Sequence, residues 1–386
     1  MMFLAILGLM LLGDVLWGWL SFRALRRQGR PGWAMVAAMF AVLQIAALAF
    51  LVGSRGFGWA EELPRWGNSW VFIWHLLFLP VWLIWTIARG LSALAKRIAG
   101  LRRREPDPSL AEGWSRRQFI TAAAVFTPPM ISAGAAIFAE GELEEFRVRR
   151  MVVPIAKLPP ALEGLTIAQV SDVHVGRFTR GRVLERIVEA TNQLNADVVA
   201  LTGDLINDAL RAMPPALEMV RGLRARQIVV ACEGNHDLIE NPARFYREAE
   251  KGGLPLLRND AATFTVRGQK VQFLGLPWNH AQRAMREDMR ALLARRDPAA
   301  WPILLAHHPH AWDEAGDIPL TLAGHTHGGQ IMFTEQIGFG SLFYRYWSGL
   351  YTRETTLVVS NGVGNWFPVR LNAPAEILHL TLRATA

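Results

Sequence analysis

The sequence is poor in thiols and in charge. Its 386 residues include a single cysteine, Cys232, which excludes an internal disulfide and any metal site built from a set of thiolates. Charged residues make up only 19% of the chain, against a positive mean hydropathy of +0.17. With 15 tryptophans as well, this composition points to membrane segments rather than to an ordinary soluble enzyme. The formal charge of +8 invites a nucleic-acid reading, but the excess is confined. Of 41 basic and 33 acidic residues, 14 and seven respectively lie at or before Glu140. The remainder is close to neutral and lacks the basic footprint that a polyanion requires.

Residues 1–140 read as a membrane region. Apolar runs at 3–20, 34–52 and 69–88 each approach the ~20 residues that cross a ~30 Å hydrocarbon layer as a helix. A fourth run, 119–139, is rich in small residues and is interrupted by Pro128 and Pro129. Trp17, Trp19, Trp33, Trp66, Trp70 and Trp85 gather near the ends of the first three, where amphipathic rings suit the interface. The connection after the first run carries Arg23, Arg26, Arg27 and Arg30. The one after the third carries Arg89, Lys96, Arg97, Arg102, Arg103, Arg104, Arg116 and Arg117. Between the second and third, Arg55 and Arg65 are balanced by Glu61 and Glu62. The positive-inside rule puts both arginine-rich loops in the cytoplasm, so a fourth crossing delivers the remaining chain to the outer face. Ser115-Arg116-Arg117-Gln118-Phe119-Ile120 also resembles a twin-arginine export signal, and Ala133-Gly134-Ala135 offers a small-residue cleavage site. Either the export machinery or plain membrane insertion gives the same topology. Asp14, Gln44 and His75 lie within the apolar runs; the simplest role for Asp14 and His75 is a mutual hydrogen bond.

From about Leu165 the pattern changes to short β-rich runs alternating with amphipathic stretches, the signature of an α/β domain with a substantial parallel component. Strands are expected at 165–170, 197–201, 227–231, 271–274, 303–306, 320–323, 356–359 and 377–382. Five of them run straight into polar clusters: Ser171-Asp172-Val173-His174, Gly203-Asp204, Gly234-Asn235-His236-Asp237, His307-His308 and Gly324-His325-Thr326-His327-Gly328-Gly329-Gln330. Any one of these reads as a turn or a strand cap. Five at successive strand ends form a ligand constellation, because sites in such sheets collect beyond the carboxyl ends of strands. Oxygen and imidazole donors suit Mn, Fe, Zn or Co in a hydrolytic site, and one carboxylate shared by two ions sets the spacing of a two-metal displacement.

Taken in this order, the motifs resemble the calcineurin-like metallophosphoesterase superfamily over about residues 150–384. The run Gly324–Gln330 resembles its bacterial membrane-associated or exported branch. The resemblance implies two mixed β-sheets packed face to face with helices outside. It implies two divalent ions, one held by Asp172, His174 and His327, the other by Asn235, His307 and His325, with Asp204 bridging. A bridging hydroxide is the implied nucleophile. His236 is the implied transition-state stabiliser or general acid, and Asp237 its orienting partner. His310 and the trio Trp278, Asn279 and His280 depart from the family pattern, as do the aromatics beside Arg370. These departures leave the ligands intact and bear on substrate choice. Trp278, Trp366 and Phe367 are candidates for an apolar rim with Arg370 near phosphate.

The whole reads as a membrane-anchored, metal-dependent phosphoesterase facing the periplasm of a bacterial inner membrane. Its partners are then the bilayer and a phosphate ester, lipid or envelope-derived, with no nucleic acid. A pyrophosphohydrolase of a nucleotide-linked lipid precursor and a metal-bound scaffold without turnover remain alternatives.

Overall fold

Among the described residues, leucine-, alanine- and valine-rich stretches with few breakers give the first part of the chain the helices α1 (Met2–Arg26), α2 (Pro31–Gly56), α3 (Arg65–Ile73), α4 (Leu79–Ile98) and α5 (Arg116–Glu142). The computed structural model describes residues 2–56, 63–98, 115–330, 332–334, 337–370 and 372–385. Glu61, Glu62 and Arg102 to Arg104 of the orientation argument lie outside them. The chain forms two units, Met1–Gly141 and Glu142–Ala386.

In the first unit, Ala5–Arg26, Pro31–Gly53, Trp66–Lys96 and Arg116–Ala139 are long and apolar enough to cross a membrane. A π-helical turn, Trp74–Phe78, joins α3 to α4 without a break. The expected interruption at Pro128 and Pro129 does not end α5, which runs through both. Prolines are tolerated in membrane-type helices where neighbouring groups and local backbone adjustments satisfy the freed carbonyls. Asp14 and His75 are fully buried and bonded, with His75 Nε2 2.8 Å from Asp14 Oδ2. Trp74 Nε1 donates to Asp14 Oδ1 at 2.8 Å, and His75 Nδ1 donates to the Val71 carbonyl. Asp14, Trp74 and His75 thus satisfy one another, as buried polar groups require, whereas the buried Gln44 amide finds no partner among the described residues.

The second unit is built on two mixed sheets. The first contains β1 (Arg147–Ile155), β2 (Thr166–Val170), β3 (Val198–Thr202), β4 (Ile228–Cys232) and β13 (Glu376–Ala384), in the order β1-β13-β2-β3-β4. The second contains β5 (Asp260–Val266), β6 (Gln269–Gly275), β7 (Ala300–Leu305), β8 (Leu320–Ala323), β11 (Gly349–Thr352) and β12 (Thr356–Val359), in the order β11-β12-β8-β7-β6-β5. A short hairpin, β9 (Met332–Thr334) and β10 (Ile337–Gly338), stands apart. β2, β3 and β4 run parallel, as do β6, β7, β8 and β12, while β13, β5 and β11 supply antiparallel pairings.

One core lies between the sheets, where Ile167, Val198 and Val230 meet Phe273, Ile303 and Leu322. The outer face of the first sheet is covered by α6 (Arg182–Gln193), α7 (Met213–Gly222) and α8 (Pro242–Gly252), through residues such as Ile187, Met213 and Phe245. The outer face of the second is covered by α9 (Gln282–Leu293) and the 3-10 segment Pro309–Glu314, through Met289, Leu292 and Trp312. Central strands are therefore buried on both faces and read as unbroken apolar runs, as Val198–Thr202 does. This is the mixed two-sheet α/β fold that the sequence implies. β1, β5, β9, β10 and β11 are additional to the expected strands.

Candidate metal centre

Parallel strands from both sheets deliver the polar clusters to one place. β2 runs out into Asp172 and His174, β3 into Asp204, and β4 into Asn235 and His236. From the other sheet, β7 runs into His307 and β8 into His325 and His327. The seven expected ligands converge there. His174 Nε2 lies 2.9 Å from His327 Nε2, which is 3.2 Å from Asp172 Oδ1. Asn235 Oδ1 lies 2.9 Å from His325 Nδ1 and 3.2 Å from His307 Nε2. Asp204 sits between these groups, its Oδ2 3.1 Å from His307 Nε2 and 3.6 Å from His174 Nε2. It therefore shares one compact donor cluster with His307 and His325 and another with His174 and His236. Asp172, His174, Asp204, His307 and His327 are buried; Asn235, His236 and His325 are half-buried and mark the open side.

The donor set fits divalent cations. It consists of carboxylate, amide and imidazole atoms, and two imidazole nitrogens face each other where a shared proton or a cation must lie between them. Burial and the neighbouring imidazoles hold His174 and His325 well below the ordinary histidine value, so they are neutral, the ligating form. Burial would lower His307 too, but Asp204 outweighs it and raises this imidazole to about 9. Burial would raise Asp172, yet His327, His307 and His174 hold its carboxyl well below the usual range. Asp204 thus pulls on His307 in the direction in which a proton or a cation would be held, and ligation uses the neutral imidazole.

A second layer fixes each donor. His307 Nδ1 donates to the Thr202 carbonyl at 2.8 Å, leaving Nε2 to face the centre. His236 Nδ1 donates to the Asn207 carbonyl, and the His236 backbone N–H donates to Asp204 Oδ1 at 2.8 Å. Ser171 Oγ donates to Asp172 Oδ2. Arg370 Nη2 donates to His327 Nδ1 at 2.9 Å, so in this arrangement the ring proton lies on Nε2, opposite His174. Such partners set tautomer and orientation. Ser171 opens one of the polar clusters of the sequence but was given no role there, and Thr202 and Asn207 were not singled out. Two of the three act through backbone carbonyls, which no side-chain motif reveals.

The backbone at the centre is unusual. Asp172, His174, Asp204, His325 and His327 all have positive φ, between 49° and 74°, a region that non-glycine residues visit rarely and at a cost. Glycines make the crowding possible. A side chain at Gly324 would collide with Ser171 Oγ and Asp172 Oδ2, and one at Gly234 with the Asp204 carboxylate.

Three expectations about individual residues are corrected. Asp237 does not orient His236; its Oδ1 accepts from Ile206 N at 3.0 Å and its Oδ2 from Gly234 N at 2.8 Å. The 3-10 turn His236–Leu238 turns the two adjacent side chains apart, and Asp237 fastens the Asp204 and Asn235 loops together. Burial and the nearby Asp204 carboxylate push it up to about 8. Arg370 is not poised for phosphate. Beyond His327, its guanidinium is spent on Asn365 Oδ1 and on the carbonyls of Asn361, Gly362, Gly364 and Ala373. Phe367 is buried and belongs to no rim.

The two tryptophans do flank the centre. The Trp366 ring centroid lies 6.1 Å from that of His236, and Trp278 lies 5.0 Å from His325. The Gln330 amide, oriented to satisfy its neighbours, accepts from Trp366 Nε1 at 3.0 Å and donates to the Val369 carbonyl at 2.7 Å. The last residue of the Gly324–Gln330 run thus holds an indole over the site. On the Trp278 side opens a cavity of about 550 Å³, lined by Asn235, His307, His325, His308, His310 and Tyr344 among others.

Known proteins agree with this architecture. A sequence model of the calcineurin-like phosphoesterase family matches residues 165–329. A zebrafish (Danio rerio) transmembrane protein with a metallophosphoesterase domain is 31% identical over 60% of this chain and 56% of its own length. A Caenorhabditis elegans protein that carries the name metallophosphoesterase F40B5.2 is 30% identical over 61% of this chain and 52% of its own length. The Bacillus subtilis metallophosphoesterase YkuE, itself uncharacterized, is 29% identical over 59% of this chain and 82% of its own length. The chain thus spans little more than half the length of the worm and zebrafish relatives. With these motifs, this donor geometry and these relatives, the C-terminal unit is similar to the calcineurin-like phosphoesterase family, whose model matches it over residues 165–329.

Proposed function

We propose that this chain is a membrane-tethered phosphoesterase that uses two divalent ions to hydrolyse phosphodiesters or phosphomonoesters of lipid or envelope components. The observation that carries the reading is Asp204, shared between donor clusters on its two sides. Asp172, His174 and His327 would hold one ion, Asn235, His307 and His325 the other, and Asp204 both. When bound, such ions supply Lewis acidity toward phosphoryl oxygens and lower the pKa of water at neutral pH.

The chain's own residues supply the rest. With its Nδ1 proton committed to the Asn207 carbonyl, His236 directs Nε2 toward the half-open side, where it would steady the phosphoryl group or pass a proton to the leaving oxygen. Trp366 and Trp278 bracket that opening and would limit how the ester enters. The arginine-rich loops favour an extracytoplasmic domain in the bacterial inner membrane, reached by the twin-arginine route or by insertion. A C-terminal reporter fusion that is active only inside the cell would overturn that orientation.

The test of the activity is turnover of a chromogenic phosphodiester and a chromogenic phosphomonoester with added Mn²⁺ or Zn²⁺, or with chelator. Turnover should require metal, vanish in Asp204→Asn and fall roughly 10²–10⁴-fold in His236→Ala. Turnover that survives chelation, or an unimpaired Asp204→Asn variant, would sink the assignment.

A further inference from the structure

Residues 332–334 and 337–343 carry a group of large apolar side chains with no cover among the described residues of the second unit. Phe333, Leu342 and Phe343 are 61%, 73% and 78% exposed, and Ile337 and Phe339 are exposed beside them. A cluster of this kind on one short hairpin and helical turn (α10, Gly340–Phe343) is uncommon on a protein surface facing only water. Phe343 and Tyr344 continue inward as wall of the cavity beside His307 and His325, whose other walls include Leu276, Pro277 and Met285. The exposed patch and the apolar side of the cavity are therefore continuous, with the metal centre at the inner end.

We propose that this segment is a bilayer-docking lip: Phe333, Ile337, Phe339, Leu342 and Phe343 enter the interfacial layer of the membrane, and the cavity behind them receives the apolar part of a lipid phosphoester. The lipid route rests on the phosphoesterase reading above. The occupant is argued from the chain itself. Only Leu143 to Phe146 separate α5, a helix of membrane-crossing length, from β1. Four extended residues reach roughly 14 Å, so the domain works within that reach of a bilayer. Aromatic and leucine side chains at the surface of a membrane-held domain are suited to the headgroup boundary, and Arg345, exposed next to them, suits anionic headgroups.

The experiment uses the full chain reconstituted in vesicles of phosphatidylcholine and phosphatidylglycerol. Cys232 is buried, so a dye attaches to an introduced cysteine. An environment-sensitive fluorophore at Leu342→Cys should be quenched by bromine-bearing acyl chains. The same dye at Glu218→Cys, on α7 against the other sheet, should not. Equal quenching at the two positions, or none at Leu342→Cys, overturns the docking proposal, whether the face is then covered by a second copy or by nothing. In parallel, the double variant Ile337→Ser/Leu342→Ser, neither residue lining the cavity, should turn over a water-soluble ester normally. Its turnover of a phosphoester lipid embedded in the vesicles should fall about tenfold. Equal losses on both substrates, or on neither, overturn the lipid route. If wild type hydrolyses neither ester, the phosphoesterase reading fails, and the quenching comparison still decides the docking.

Discussion

Replacing Arg370 by alanine separates two roles for this residue, because a loop clamp and a phosphate contact fail differently. The guanidinium donates to Asn365 Oδ1 at 2.7 Å, to the Gly364 carbonyl at 2.7 Å, and to the carbonyls of Asn361 and Ala373 at 2.9 and 3.0 Å. Burial lowers its pKa only to about 10, so it remains charged at neutral pH. Truncation leaves several carbonyls of the 361–373 loop without a donor, each costing about 1–3 kcal/mol if water does not enter. Arg370 is half-buried, so water will relieve part of this, and a total of roughly 3–5 kcal/mol is expected. For a domain of this size, each kcal/mol lowers the thermal midpoint by about 2–4 °C, which gives a fall on the order of 10 °C. The assay is thermal unfolding of the full chain in detergent, followed by circular dichroism, with Arg370→Lys alongside. Lysine keeps the charge but cannot span the fork of acceptors, so it should recover little. An unchanged midpoint combined with a raised KM for a phosphate ester would refute the clamp and return Arg370 to the substrate.

Other outcomes follow from the same structure. Gly324→Ala forces a methyl group against Ser171 Oγ and Asp172 Oδ2, so metal uptake measured by elemental analysis should drop sharply while the far-ultraviolet spectrum is kept. Asp14→Ala leaves the Trp74 indole and His75 without their shared acceptor, and the first unit should lose about 3–5 kcal/mol in a detergent-denaturation series. His379 is held below the ordinary imidazole value by burial and by Arg150, which donates to its Nδ1. The unfolded chain therefore takes up a proton on acidification that the folded chain refuses. Stability from this residue is present above about pH 6.5 and is lost as pH falls below it, and His379→Gln should flatten that part of the urea-midpoint profile.

The sequence was most legible where chemistry and local geometry coincide. Asp172, Asp204, Asn235, His307, His325 and His327 stand directly after apolar β-rich runs, and parallel strands carry such positions to one edge whatever the details of packing. β1 was obscured by Arg147, Arg149 and Arg150, which pair with Glu376 and His379 of β13. β5 was obscured by its half-buried alanines and exposed threonines and by a hairpin turn at Arg267-Gly268, both with positive φ. Partner choice was the least legible. Asp237 follows His236 in sequence, yet the turn sends their side chains apart. Arg370 lies close to phosphate-binding territory in pattern but is consumed by the carbonyls of its own loop. Which of several nearby acceptors a charged group takes is decided by tertiary packing, and no spacing rule contains that information.

The left-handed backbone at five ligand residues has a consequence for how the domain comes apart. Each such residue stores about 1–3 kcal/mol of conformational strain, and all five lie in loops just beyond strands whose own pairing is regular. Stripped of cations, those loops are the places where opening releases energy, while the strands behind them have none to release. Amide exchange in the chelator-treated chain should therefore spread inward from the carboxyl ends of β2, β3 and β8, with the two sheets keeping their protection until the whole domain unfolds.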